Sequence, residues 1–104
     1  MAYVLVRAKV ADYEKWKPIF DAHSATRKAK GSKGGQLFRN ADDENETIIL
    51  FEWSDLEKAR QFVQSPDLRE AMQRSGVVDQ PTIFFLEEVE RVDVEEHTSA
   101  GATG

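Results

Sequence analysis

The stretch from Thr47 to Met72, TIILFEWSDLEKARQFVQSPDLREAM, leaves a chain of this kind few ways to fold. An apolar strand passes directly into a helix, and a second helical segment restarts at a proline. Alternation puts Ile49, Phe51 and Trp53 on one face of the strand and Ile48 and Leu50 on the other, so both faces need cover. Ser54 with Glu57 three positions on reads as a capping box, each side chain serving the other's unpaired backbone donor. Leu56, Ala59, Phe62 and Val63 form the apolar stripe of the helix that follows. Ser65 and Pro66 restart it, since proline in a first turn forfeits a hydrogen bond that would not have been made. Leu68, Ala71 and Met72 continue the apolar side.

The same logic orders the rest of the chain. Tyr3 to Val10 alternates Val4, Val6, Ala8 and Val10 against Tyr3, Leu5, Arg7 and Lys9, a strand with one apolar and one mixed face. Asp12 is placed to cap a helix on which Tyr13, Trp16, Phe20, His23 and Arg27 share one side. Pro18 lies inside that helix and predicts a kink or a short turn there. Arg27, Lys28 and Lys30 complement the dipole at the helix end, and Gly31 permits a left-handed exit. GSKGG, residues 31–35, reads as a flexible connection into a strand around Gln36 to Asn40. It lacks the lysine–serine order of a phosphate loop and follows a helix rather than a strand. ADDENE, residues 41–46, reads as a solvated turn of a hairpin rather than a calcium loop, whose glycine and terminal glutamate are missing. Gly76 closes the second helical region, and Thr82 to Val89 forms the last strand. From about Asp93 onward the chain is polar and aperiodic, which predicts a disordered tail containing His97.

The 104 residues, 40% of them hydrophobic, make one domain over residues 1–92. A formal net charge of −5 argues against nucleic acid as a partner, because displacing counterions from a polyanion needs a concentrated positive field. With no cysteine, disulfides, thiolate metal sites and cysteine nucleophiles are excluded. Two histidines do not make a histidine-rich metal site, and no nucleotide fingerprint or serine–histidine–acid triad is present, so neither a metal nor a cofactor is expected. A membrane-length apolar window and a basic leader are both missing, and the expectation is a soluble, cytoplasmic protein without membrane contacts.

Strand, helix, strand, strand, helix, strand predicts an α+β, ferredoxin-like domain: a four-stranded antiparallel sheet with its helices on one face. The other face then carries Ile48, Leu50 and one side of the first and last strands. An apolar surface of that extent asks for a partner, and a symmetric homodimer through the open sheet face supplies it with one two-fold contact.

Three passages, DYEKWKPIFDAHSATR, TIILFEWSDLEKARQF and SPDLREAM, resemble the dimeric alpha-beta barrel superfamily, specifically proteins related to antibiotic biosynthesis monooxygenases. The resemblance covers residues 3–90 in element order, and its most specific part is the tryptophan ending the third strand ahead of a helix and a serine–proline restart. It implies a homodimer with a small-molecule pocket between helices and sheet. Members include cofactor-independent oxygenases of polycyclic phenols or quinols, haem-degrading enzymes and polyketide cyclases. The iron-ligating histidine of the haem-degrading members has no counterpart in EKARQFVQSPDLREAM, nor does their first-strand asparagine in Tyr3 to Val10.

His23 is the candidate catalytic residue. As a general base it would take a phenolic proton before oxygen attack, or an acidic carbon proton in a cyclase. Its other reading is a partly buried histidine bonded to a carbonyl or carboxylate. Trp16, Phe20, Phe38, Trp53, Phe62 and Phe84 are candidates to line an aromatic cleft for a flat ligand, or else to form the core. Arg27, and with it Arg39, is a candidate partner for an anionic substituent. Two functions follow: a small-molecule-binding dimer acting as a cofactor-independent monooxygenase or cyclase on an aromatic or polyketide-like substrate, or a non-catalytic dimeric binding or assembly module. An open cavity beside His23 and Trp53 favours the first, a filled interior the second.

Overall fold

The computed structural model describes residues 2–93, so the expected tail lies outside the described residues from 94 onward. The chain runs β1 (Ala2–Lys9), α1 (Tyr13–Ala22), α2 (Ser24–Lys30), β2 (Ser32–Asn40), β3 (Asp43–Trp53), α3 (Leu56–Val63), α4 (Pro66–Ser75) and β4 (Thr82–Glu87). The strands form one antiparallel sheet in the order β2-β3-β1-β4. This is the expected ferredoxin-like α+β fold, with each helical region divided in two.

Register decides which side chains meet the helices. Val4 stands between Phe51 and Phe85, and Val6 between Ile49 and Ile83, so these residues share a face. That face buries two clusters. Val4, Trp53, Ala59 and Phe62 form one, and Val10, Trp16 and Ile49 the other, with Phe51 packed against both. The opposite face carries Leu5 between Leu50 and Phe84, and Phe38 beside Ile48. There Phe38 is 48% exposed, Phe84 52% and Leu86 40%, an apolar surface that nothing in the described chain covers.

Several local expectations need correction. The helix continues through Pro18 and breaks at His23, where φ −86° and ψ 1° end α1 and begin α2. The His23 N–H donates to both Ile19 O and Phe20 O at 3.2 Å, a tightened last turn. Ser54 is not the cap of α3. That role falls to Asp55, whose carboxylate accepts from the Glu57 N–H at 2.7 Å, as Asp12 does from Glu14 in α1 and Ser65 from Leu68 in α4. GSKGG is not a loose connection. Gly31 caps α2 and Ser32 to Gly35 already belong to β2, with a register shift between Ser32 and Gly34 that bulges Lys33 outward. The hairpin turn shrinks to Ala41 and Asp42, because Asn40 already pairs with Asp43.

Candidate functional site

Between the two buried clusters the helices and the sheet enclose an inner chamber of about 80 Å3. Its walls are the helix-facing side chains of β1 and β3, among them Val4, Ile49, Phe51 and Trp53, closed by Trp16 and Phe20 from α1, Phe62 from α3, and Leu68 and Met72 from α4. Of the residues expected at a site, His23, Trp16, Phe20, Arg27, Trp53 and Phe62 all line this chamber. Phe38 and Phe84 do not. Strand parity turns both to the open face of the sheet, and a count of aromatic residues without register could not separate them from Phe51. Arg39 also stands apart, its guanidinium 4.6 Å over the Tyr13 ring.

The aromatic walls are core and lining at once. Trp53 is 1% exposed and Trp16 5%, yet both border the chamber. Trp16 stacks on Phe20 with ring centroids 4.8 Å apart, and Trp53 tilts against Phe62 at 5.1 Å, which fixes the walls as two aromatic pairs.

Four polar side chains reach this apolar space. The Thr47 hydroxyl donates to Ala8 O at 2.9 Å and the Ser75 hydroxyl to Met72 O at 3.1 Å, so each keeps only acceptor capacity for a guest. Neither was singled out from the sequence; Thr47, one polar residue in the alternating row Thr47, Ile49, Phe51, Trp53, was the available signal. Arg27 lies with its guanidinium 4.0 Å over the Phe20 ring and donates through Nη1 to Phe20 O at 2.9 Å. Burial pushes its pKa down and Asp21 acts the other way; the guanidinium stays charged.

His23 is the one side chain on the chamber wall that titrates near neutral pH. Its ring centroid lies 6.1 Å from that of Phe62, and among the described residues its imidazole makes no hydrogen bond. Burial lowers its pKa below the ordinary 6.5, aided by the Arg27 and Arg74 charges and opposed by Asp67. The folded chain therefore gives up this proton at lower pH than the unfolded chain does. Between the two values the unfolded chain holds more protons, so the penalty on stability is absent above the unfolded range, grows as pH falls through it, and is complete below the folded value. Proton NMR titration of the imidazole should give a midpoint below 6.5; a midpoint at or above that value would contradict the desolvated setting.

Among the described residues no group of three or more histidine, cysteine, aspartate and glutamate side chains is arranged to hold a metal ion, and no helix is long and apolar enough to cross a membrane.

Fold and chamber together define a ferredoxin-like α+β domain with an apolar space between helices and sheet and one neutral imidazole on its wall. The chain belongs to the antibiotic biosynthesis monooxygenase family, whose family model matches residues 3–74. Among curated proteins none matches the sequence. Solved structures agree in fold. A candidate antibiotic biosynthesis monooxygenase from Caulobacter crescentus is 21% identical, with a TM-score of 0.68 over 86% of this chain and 90% of that one. SnoaB, a cofactor-independent oxygenase from Streptomyces nogalater, is 16% identical, with a TM-score of 0.65 over 85% and 94%. Rv0793 from Mycobacterium tuberculosis is 13% identical, with a TM-score of 0.65 over 88% and 98%. At such identities the likeness is one of fold.

Proposed function

We propose that this protein is a cytoplasmic homodimer that binds a flat aromatic or polyketide-like molecule in the chamber and oxygenates it without a cofactor, His23 acting as general base. The observation that carries the reading is the His23 imidazole on the wall of an apolar, aromatic-walled chamber whose lining holds no carboxylate, where burial favours its neutral form. A neutral imidazole accepts a proton, and a phenol that surrenders one becomes an electron-rich phenolate able to reduce oxygen. One oxygen atom then enters the substrate carbon and the other leaves as water, with the substrate supplying the electrons. The family membership and the cofactor-independent oxygenase among the similar folds are in keeping with this chemistry.

A homodimer through the open sheet face accounts for Phe38, Phe84 and Leu86, whose exposure in an isolated chain leaves a continuous apolar surface. One observation favours a binding role without turnover: no hydrogen bond among the described residues orients the His23 imidazole, and a general base works best when a third group holds it. The test is a screen of flat phenols and quinols against protein shown by light scattering to have twice the chain mass, with oxygen uptake and thermal stabilisation followed together. A substrate should give both signals, and His23→Gln should slow uptake about a hundredfold while leaving stabilisation in place. Stabilisation without uptake would favour the binding module or a cyclase, and unchanged turnover in His23→Gln would remove His23 from the mechanism.

A further inference from the structure

Beside the inner chamber runs a second, larger space, an outer groove of about 620 Å3 between α2 and β2. The two share Phe20, Arg27, Ile49 and Phe51 in their linings, so they adjoin across the Arg27–Phe20 stack. The groove owes its existence to the start of β2. Lys33 is bulged out of the ladder, and Gly34 and Gly35 offer no side chains for a helix to pack on. Accordingly α2, the segment SATRKAK, has no buried residue and stands over the groove without filling it.

The charge of this groove departs from that of the molecule. In a chain with 19 acidic and 14 basic residues, the groove is lined by Arg27, Lys28 and Lys33 and by no aspartate or glutamate. Arg7 is paired with Glu46 and Arg74 with Glu70. Arg27, like Arg39 and Arg60, stacks on an aromatic ring rather than joining an ion pair among the described residues, but of these three it alone borders both spaces. One N–H holds Phe20 O at 2.9 Å, the Phe20 and Phe51 rings lie 4.0 and 5.7 Å from the guanidinium carbon, and its remaining donors make no hydrogen bond among those residues. A guanidinium fixed by stacking, with donors to spare at the boundary of two spaces, is arranged to take a carboxylate in a planar, two-pronged fashion.

Size points the same way. At about 80 Å3 the inner chamber is smaller than a cavity that binds benzene, which measures about 150 Å3, so an aromatic guest seated there must extend past Arg27 into the groove. We propose that the outer groove is an anion subsite and that the preferred ligand is an aromatic carboxylate, its ring in the inner chamber and its carboxylate on Arg27, with Lys28 and Lys33 adding long-range attraction. This rests on the reading that the chamber takes an aromatic guest, and it adds the polar half of that guest.

Calorimetric titration of the full chain with naphthol and with the corresponding naphthoate tests the two halves separately. Naphthoate should bind about tenfold more tightly than naphthol, the scale of one charge-assisted hydrogen bond in a half-buried setting. Arg27→Gln should abolish that preference, and Arg27→Lys should retain part of it. Because Arg27 also stacks on Phe20, the double variant Lys28→Gln/Lys33→Gln serves as a second probe: both side chains are exposed, and their loss should lower the preference by about threefold at low salt and hardly at all at high salt. Naphthol binding with no gain for naphthoate, or a gain that survives Arg27→Gln, would overturn the anion subsite and leave the chamber reading intact. Failure of both compounds to bind would overturn the two together.

Discussion

Gly35→Ala should lower the melting temperature by more than about 12 °C, the equivalent of at least roughly 3 kcal/mol in a domain of this size. Gly35 lies on β2 opposite Phe51, and a Cβ there would fall 2.0 Å from the Leu50 carbonyl oxygen and 2.9 Å from the Leu50 carbonyl carbon and the Phe51 Cα. These are backbone atoms of the neighbouring strand, so no rotamer relieves the clash. Its φ of +156° compounds the problem. Since β2 is an edge strand held only by β3, the ladder that defines one wall of the outer groove must shift or separate. Gly34→Ala is the internal control. Nothing lies within 4 Å of its would-be Cβ, and only the positive φ of +99° is opposed, which costs about 1–2 kcal/mol. Equal melting temperatures for the two variants would mean that the approach of β2 to β3 is not as close as described.

Trp53→Ala should cost about 3–5 kcal/mol, a large share of the stability of a domain this small. Trp53 is 1% exposed, ends β3, and forms a cluster with Val4, Ala59 and Phe62 that joins the sheet to α3. Removing the indole leaves a void that these neighbours, held by a sheet and a helix, close only in part. Denaturant unfolding measures the loss, and a change below about 1 kcal/mol would show that the residue is pocket lining with little part in the core.

Trp53 also shows what the sequence disclosed and what it withheld. Period-two alternation in β1 and β3 assigned Val4, Val6, Ile49, Phe51 and Trp53 to one face, and the register agrees, since a one-residue slip would turn every one of them to the other side. The cap at Asp12 was legible because its side chain acts on a donor two residues away, whereas the one expected at Ser54 falls one residue later, at Asp55. The break at His23 was not legible: neither glycine nor proline marks it, while Pro18, which does carry a breaking signal, is absorbed on the exposed side of α1. Nor could the role of Phe38 and Phe84 be read. β4 is apolar on both faces, so parity alone does not say which set meets the helices, and the Lys33 bulge hides the alternation of β2. The chamber itself depends on how α1 and α4 stand over the sheet, which is a matter of packing between segments distant in sequence. His23 and Arg27 were visible as residue types on one helical stripe; that α2 begins between them and places one at each end of a turn was not.

The claim on which the rest depends is that an aromatic guest enters between the helices and the sheet rather than settling on the open apolar face. Titration of naphthol into isotopically labelled protein, followed by NMR, distinguishes the two. The indole resonances of Trp16 and Trp53 and the imidazole of His23 should shift together and saturate along one curve, with Phe38 and Phe84 unmoved. Shifts confined to Phe38, Phe84 and Leu86, with Trp16, Trp53 and His23 unchanged, would contradict it.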